Sequence, residues 1–125
     1  PVLMSEHTEQ VALFNILALY EDKYPELKWI FAIPNGGHRH IAVAKRMKSE
    51  GVKKGVLDIC IPYPVDEWAG AWVEMKYGNG RLRPEQKEFI AEFEHTHKIY
   101  VCYSAIEAAN SIGEYLGIKE LKEVE

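Results

Sequence analysis

Cysteine is scarce in this sequence: Cys60 and Cys102 are the only two, each inside a short apolar run. Neither has a second sulfur or a histidine at a zinc-ligand spacing, which excludes a zinc finger or ribbon. They read as free buried thiols rather than a disulfide, which suits a reducing cytoplasm. Long apolar runs are missing too. No stretch approaches the roughly 20 consecutive apolar residues of a membrane helix. The first ten residues lack the basic flank and apolar run of an export signal. The expectation is a cytoplasmic protein, not secreted and without a membrane partner. Repeats, low-complexity segments and an internal linker are also absent. The 125 residues therefore read as one domain over residues 1–117, with a charged, flexible tail at 118–125. A hydrophobic share of 47% is enough for a proper core and excludes a disordered chain.

Positive charge is in deficit, since 15 Lys and Arg face 19 Asp and Glu. A net charge of −4 argues against a polyanionic partner, but the distribution of charge matters more than the sum. Between residues 34 and 56, Arg39, Lys45, Arg46, Lys48, Lys53 and Lys54 face Glu50 alone. The acids gather in the first helix, in residues 85–94 and in residues 114–125. One locally basic face is compatible with phosphate contact, and a plain solvated helix accounts for it as well.

Periodicity predicts a first helix over residues 5–22, with Leu13, Phe14, Leu17 and Tyr20 at helical spacing. Pro25 opposes its continuation. Residues 29–33 read as a strand, followed by the turn residues Pro34, Asn35, Gly36 and Gly37. A second helix spans residues 41–50 and stops at Gly51. Strands follow at 56–61 and 71–77, separated by a loop holding Pro62 and Pro64. A third helix starts at Pro84 and turns Phe89, Ile90 and Phe93 inward. A strand at 98–103 comes next. A fourth helix then begins at Ser104, with Glu107 completing a capping box, and ends at Gly117. The order α-β-α-β-β-α-β-α indicates an α/β fold, a mixed β-sheet flanked by helices.

Two strands carry a polar residue where burial is expected. In residues 72–77, alternation puts Glu74 and Lys76 on one face and Val73 and Met75 on the other. Taken alone, this is most simply an exposed ion pair on an edge strand. The strand at 56–61 shifts that balance, because Asp58 interrupts it and Asp is disfavoured in strands. Two carboxylates brought to one point repel each other unless a cation holds them. Hard oxygen ligands of this kind suit Mg²⁺ or Mn²⁺. Lys76 beside such an ion could orient or deprotonate a water, or stabilise charge on a phosphate. In the 35–40 loop, Gly36 and Gly37 permit close backbone approach to a phosphate, and Arg39 offers a fork of donors. His38 and His40 have no other zinc-type residues near them and read equally well as surface residues.

An acid followed about sixteen residues later by Glu-x-Lys on the adjacent strand resembles the PD-(D/E)xK nucleases. Further motifs resemble one family among them. The run Pro34-Asn35-Gly36-Gly37-His38-Arg39, the segment Gly51-x-x-x-Gly55-Val56-x-Asp58, Glu74-x-Lys76, the start Leu82-Arg83-Pro84-Glu85-Gln86 and the helix-one acid Glu9 are similar to the VRR-NUC (virus-type replication-repair nuclease) domain, in its minimal stand-alone viral and bacterial form. The resemblance covers residues 6–109. Leu57 departs from it, standing where the family usually has a proline that is not a ligand.

The resemblance implies a restriction-endonuclease-like sheet and a Mg²⁺- or Mn²⁺-dependent DNA endonuclease. It implies metal-binding carboxylates at Asp58 and Glu74, a metal-facing carbonyl at Met75 and a catalytic lysine at Lys76. Glu9 would be an extra acid at the metal, and Gln86 would stand near the phosphate or the attacking water. Asn35, Gly36, Gly37, Arg39, Lys53, Lys54, Arg81 and Arg83 are the expected DNA contacts. The minimal form is associated with cutting Holliday (four-way) junctions as a homodimer, and two symmetric cuts call for two symmetric sites. The large side chains of the 63–68 loop are a candidate dimer interface. The alternatives are a flap or general structure-dependent nuclease, or a non-catalytic DNA-binding module of the same fold.

Overall fold

The computed structural model describes residues 4–34 and 40–125. The first helix, α1 (Glu6–Tyr20), opens on a reciprocal cap. The Thr8 N–H donates to the Ser5 hydroxyl at 3.2 Å, and the Ser5 N–H donates to the Thr8 hydroxyl at 2.8 Å. Leu13 and Leu17, one turn apart, are its buried stripe. The chain then makes a 3₁₀ turn at Pro25–Trp29, where Pro25 sets the backbone and Leu27 is buried. This turn takes up the start of the expected first strand, and β1 is only Phe31–Ala32. After α2 (Ile41–Ser49) come β2 (Ile59–Ile61), β3 (Ala71–Met75), α3 (Pro84–Phe93), β4 (Lys98–Cys102), α4 (Ala105–Leu116) and α5 (Lys119–Lys122).

The four strands form one mixed sheet in the order β1-β2-β3-β4. The β1-β2 and β2-β3 pairs are antiparallel, and β3-β4 is parallel with α3 as the crossover. Ile59, Ile61, Val73 and Met75 of the sheet join Leu13 and Leu17 of α1 and Ala108, Ala109 and Ile112 of α4 in one core. Each such large aliphatic side chain contributes about 1.5–3 kcal/mol by leaving water. Trp72 points to the opposite face and meets Phe89 of α3 edge-on at 5.2 Å, and Phe93 continues the stack at 4.7 Å. The α/β architecture expected from the sequence is the one observed.

One expectation fails. The charged segment after Gly117 is not a flexible tail: Ile118 and Leu121 are buried, and α5 lies on α4. The approach is so close that a Cβ on Gly113 would stand 2.5 Å from the Lys122 nitrogen. The Asn110 amide donates to the carbonyls of Leu121 and Val124. Glu120 accepts from Lys23 at 2.6 Å and from the Tyr24 hydroxyl at 2.7 Å, which hold its carboxyl down at about 2. Apolar residues spaced at 118 and 121 bury a face that the surrounding charges conceal in the sequence.

Candidate active site

The ladder between β2 and β3 stops at Ile59↔Val73, and side chains take over there. Asp58, one residue before β2, accepts the Met75 N–H on Oδ2 at 2.9 Å, while its own N–H donates to Glu74 Oε1 at 3.2 Å. Each acid thus takes a backbone N–H from the strand carrying the other, and the two are held side by side. This explains why β2 starts later than expected, with Asp58 just outside it: carboxylates replace carbonyls as acceptors.

Glu74 and Lys76 share the face of β3 that Trp72 occupies, the one covered by α3. Glu74 is 2% exposed and Lys76 5%. The Lys76 ammonium lies 3.1 Å from Glu74 Oε2 and donates to Gln86 Oε1 at 3.0 Å. Gln86 in turn donates from Nε2 to Glu74 Oε2 at 2.9 Å, closing a three-residue ring. Gln86 is placed by its helix. It is the third residue of α3 and accepts the Arg83 N–H at 2.8 Å, as a helix-capping residue does. Two donors on its oxygen fix the amide orientation, so the nitrogen must face Glu74. Gln86 was expected near a phosphate or water. It is buried at the site and holds the side chains of Lys76 and Glu74 in place.

Burial raises both carboxyl pKa values. Glu74 is pushed up to about 7, first by burial and then by the charge of Asp58, with Lys76 opposing. Asp58 is raised by burial, against the Met75 N–H that favours its ionised form. Two acids that ionise reluctantly while facing each other fit a hard divalent cation. Backbone N–H groups occupy Asp58 Oδ2 and Glu74 Oε1, and among the described residues none is directed at Asp58 Oδ1. That oxygen is left to bind.

Glu9 does not join this group. Its Oε1 accepts the Ala105 N–H at 3.1 Å, at the free N-terminal turn of α4. Among the described residues no three His, Cys, Asp or Glu side chains could hold one ion together. Through its bond to the Ala105 N–H, Glu9 docks α1 on α4. The α1 acid whose charge reaches Asp58 is Glu6, which the sequence reading missed. Glu6 and Glu9 lie on one helix face, and spacing alone does not choose between them.

Of the expected DNA contacts, Asn35, Gly36, Gly37 and Arg39 lie outside the described residues. Arg81 and Arg83 are exposed beside the start of α3. Lys53 and Lys54 are exposed and line a groove with Glu85, Glu88 and Glu92 of α3. The large side chains of the 63–68 loop are half-buried. Tyr63, Val65 and Trp68 pack on the core, and Tyr115 donates to the Tyr63 carbonyl at 2.6 Å.

The mixed sheet thus carries an acid pair and a lysine where β2 begins and β3 ends. The family model for the VRR-NUC domain matches residues 3–106, and the chain belongs to that family. A solved structure described as a VRR-NUC domain protein superposes with a TM-score of 0.75 at 23% identity, covering 94% of this chain and 93% of the other. No curated protein matches. No helix among the described residues is long and apolar enough to cross a membrane.

Proposed function

We propose that the chain is a Mg²⁺- or Mn²⁺-dependent endodeoxyribonuclease that hydrolyses phosphodiester bonds in branched DNA, as a homodimeric Holliday junction resolvase. The observation that carries the reading is the Asp58–Glu74 carboxylate pair, joined through backbone N–H groups and flanked by the buried Lys76 ammonium. Asp58 and Glu74, with the Met75 carbonyl, would hold the ion. Bound there, it supplies Lewis-acid activation of water and relief of charge on the phosphate.

The chain's own groups do the rest. An ammonium has three N–H donors. Lys76 directs one to Glu74 and one to Gln86, leaving the third for a phosphate oxygen or the attacking water. Burial strengthens that contact, because water is excluded around it. Arg81 and Arg83, exposed at the rim, would meet the phosphates on either side. For the dimer, β1 is an edge of the sheet and presents exposed Phe31 beside exposed Trp29, a surface suited to a second copy.

The test is cleavage of labelled four-way junction, 5′-flap and linear duplex DNA with Mg²⁺ or Mn²⁺, alongside Lys76→Ala, whose folding is checked by circular dichroism. Paired symmetric cuts in the junction, absent in the variant, are the expected result. Cutting mainly at flaps would keep the site and discard the resolvase. No metal-dependent cutting of any substrate would overturn the reading in favour of a binding module, and a monomer by light scattering at micromolar concentration would remove the dimer.

A further inference from the structure

Among the described residues, α2 is the one α-helix without a single buried side chain. A nine-residue helix is too short to be stable in water by itself, and only Met47 of α2 is half-buried. Its supports are local: His40 Nδ1 accepts the Ala42 N–H at 3.2 Å, and Arg46 pairs loosely with Glu50 at 3.6 Å. The helix carries Lys45, Arg46 and Lys48 and no acid. Half-buried Met47 marks its inner side, and at 100° per residue Lys45 lies nearly opposite, flanked by Arg46 and Lys48. Unlike Lys53 and Lys54, which stand over the α3 acids, Lys45 and Lys48 have no carboxylate partner among the described residues.

Both ends of this segment are tied to the site. Upstream, the Ile33 N–H donates to the Asp58 carbonyl at 2.7 Å. Downstream, Gly55, with φ +88°, lies so close to the first turn of α3 that a Cβ would stand 2.5 Å from the Glu85 carbonyl.

We infer that α2 is a clamp for the sugar-phosphate backbone of one DNA arm, holding duplex beside Asp58 and Glu74 through Lys45, Arg46 and Lys48. The inference rests on the nuclease reading. Charge complementarity selects DNA over a second copy of the chain: Lys45 and Lys48 without a carboxylate partner among the described residues, beside Arg46 in its loose pair with Glu50, suit a polyanion, whereas a symmetric copy of the same helix would bring like charges together.

The test is binding of fluorescent four-way junction without divalent ions, by anisotropy between 50 and 300 mM salt. It compares the wild type with Lys45→Gln/Arg46→Gln/Lys48→Gln and with Lys45→Arg/Lys48→Arg. Each lost phosphate contact lowers the slope of log K against log salt by about 0.9. The expected result is a slope smaller by about 2 to 3 in the triple Gln variant, affinity at least about tenfold weaker near 150 mM salt, and wild-type affinity in the Arg variant. An unchanged slope in the Gln variant would overturn the clamp. So would loss of the dimer with DNA affinity per site retained, which would assign α2 to a second copy. A wild type that binds no DNA at any salt would sink the nuclease reading together with the clamp.

Discussion

At the scale of single residues, the site depends on one neutral amide. Gln86 accepts from Lys76 and Arg83 and donates to Glu74, so it fixes a cation and an anion while adding no charge. Replacing it with Ala leaves the Arg83 N–H and part of the ion pair without partners in a buried place, which costs about 1–3 kcal/mol. Gln86→Ala should therefore be destabilised by that amount in urea unfolding. It should also cut DNA at least about tenfold more slowly in single turnovers, through a lysine that has lost its orientation. Retention of wild-type cleavage would reduce Gln86 to a helix cap. The sequence placed a glutamine at the start of α3 but could not say which way its amide faces, because that depends on a strand ten residues away. Cys102 shows the opposite case, a residue whose nature was legible. It reads as a buried thiol from its apolar run, and burial pushes its pKa up to about 11. Thiolate is the reactive form, so the folded protein should leave Cys102 unmodified by a disulfide reagent at pH 8, with reaction only on unfolding.

At the scale of elements, the legible features were those set by local chemistry. The Ser104 hydroxyl accepts the Glu107 N–H at 3.1 Å as the capping box requires, although the Glu107 carboxylate reaches one residue further back, to the Tyr103 N–H. The start of β2 was less legible, because the β2-β3 ladder gives way there to the Asp58 and Glu74 carboxylates, which take the N–H groups, and no periodicity encodes that. Which acid of α1 faces which neighbour was not legible, because Glu6 and Glu9 differ only in what the other elements place beside them: Glu9 meets the start of α4, and the charge of Glu6 reaches Asp58. Helix α5 was missed because four residues give no pattern to read. Its packing makes a test in which intrinsic propensity and tertiary contact predict opposite signs. Gly113→Ala in an isolated helix would gain about 1 kcal/mol. Here the new methyl would meet the Leu121 and Lys122 backbone at under 3 Å, so α5 must move and the buried Leu121 with it. The variant should be less stable than the wild type by roughly 1–3 kcal/mol in chemical denaturation. A stabilised variant would show that α5 is not held against α4.

At the scale of the whole molecule, the buried acid pair makes stability depend on pH. Glu74 ionises at about 7 in the fold against an ordinary 4.5, so between those values the folded chain holds a proton that the unfolded chain has lost. Stability from this group is fully present below pH 4.5 and declines as pH rises through about 7, the reverse of a salt-bridged carboxylate. Asp58, also raised, adds to the trend, the charge of Glu6 strengthens it, and Lys76 opposes it. A divalent ion that binds both carboxylates only when they are ionised and in place should remove the decline, because ligands of the native state stabilise it by mass action. The metal-free protein should accordingly melt at a lower temperature at pH 8 than at pH 5.5. Millimolar Mg²⁺ should raise the melting temperature at pH 8, with little effect at pH 5.5, where protons hold the site. Glu74→Gln abolishes the charge and should flatten both responses. Scanning calorimetry of the two proteins at the two pH values, with chelator or with Mg²⁺, separates the cases. If Mg²⁺ raises the melting temperature of Glu74→Gln as much as that of the wild type, the ion binds elsewhere and Asp58–Glu74 is not the metal site.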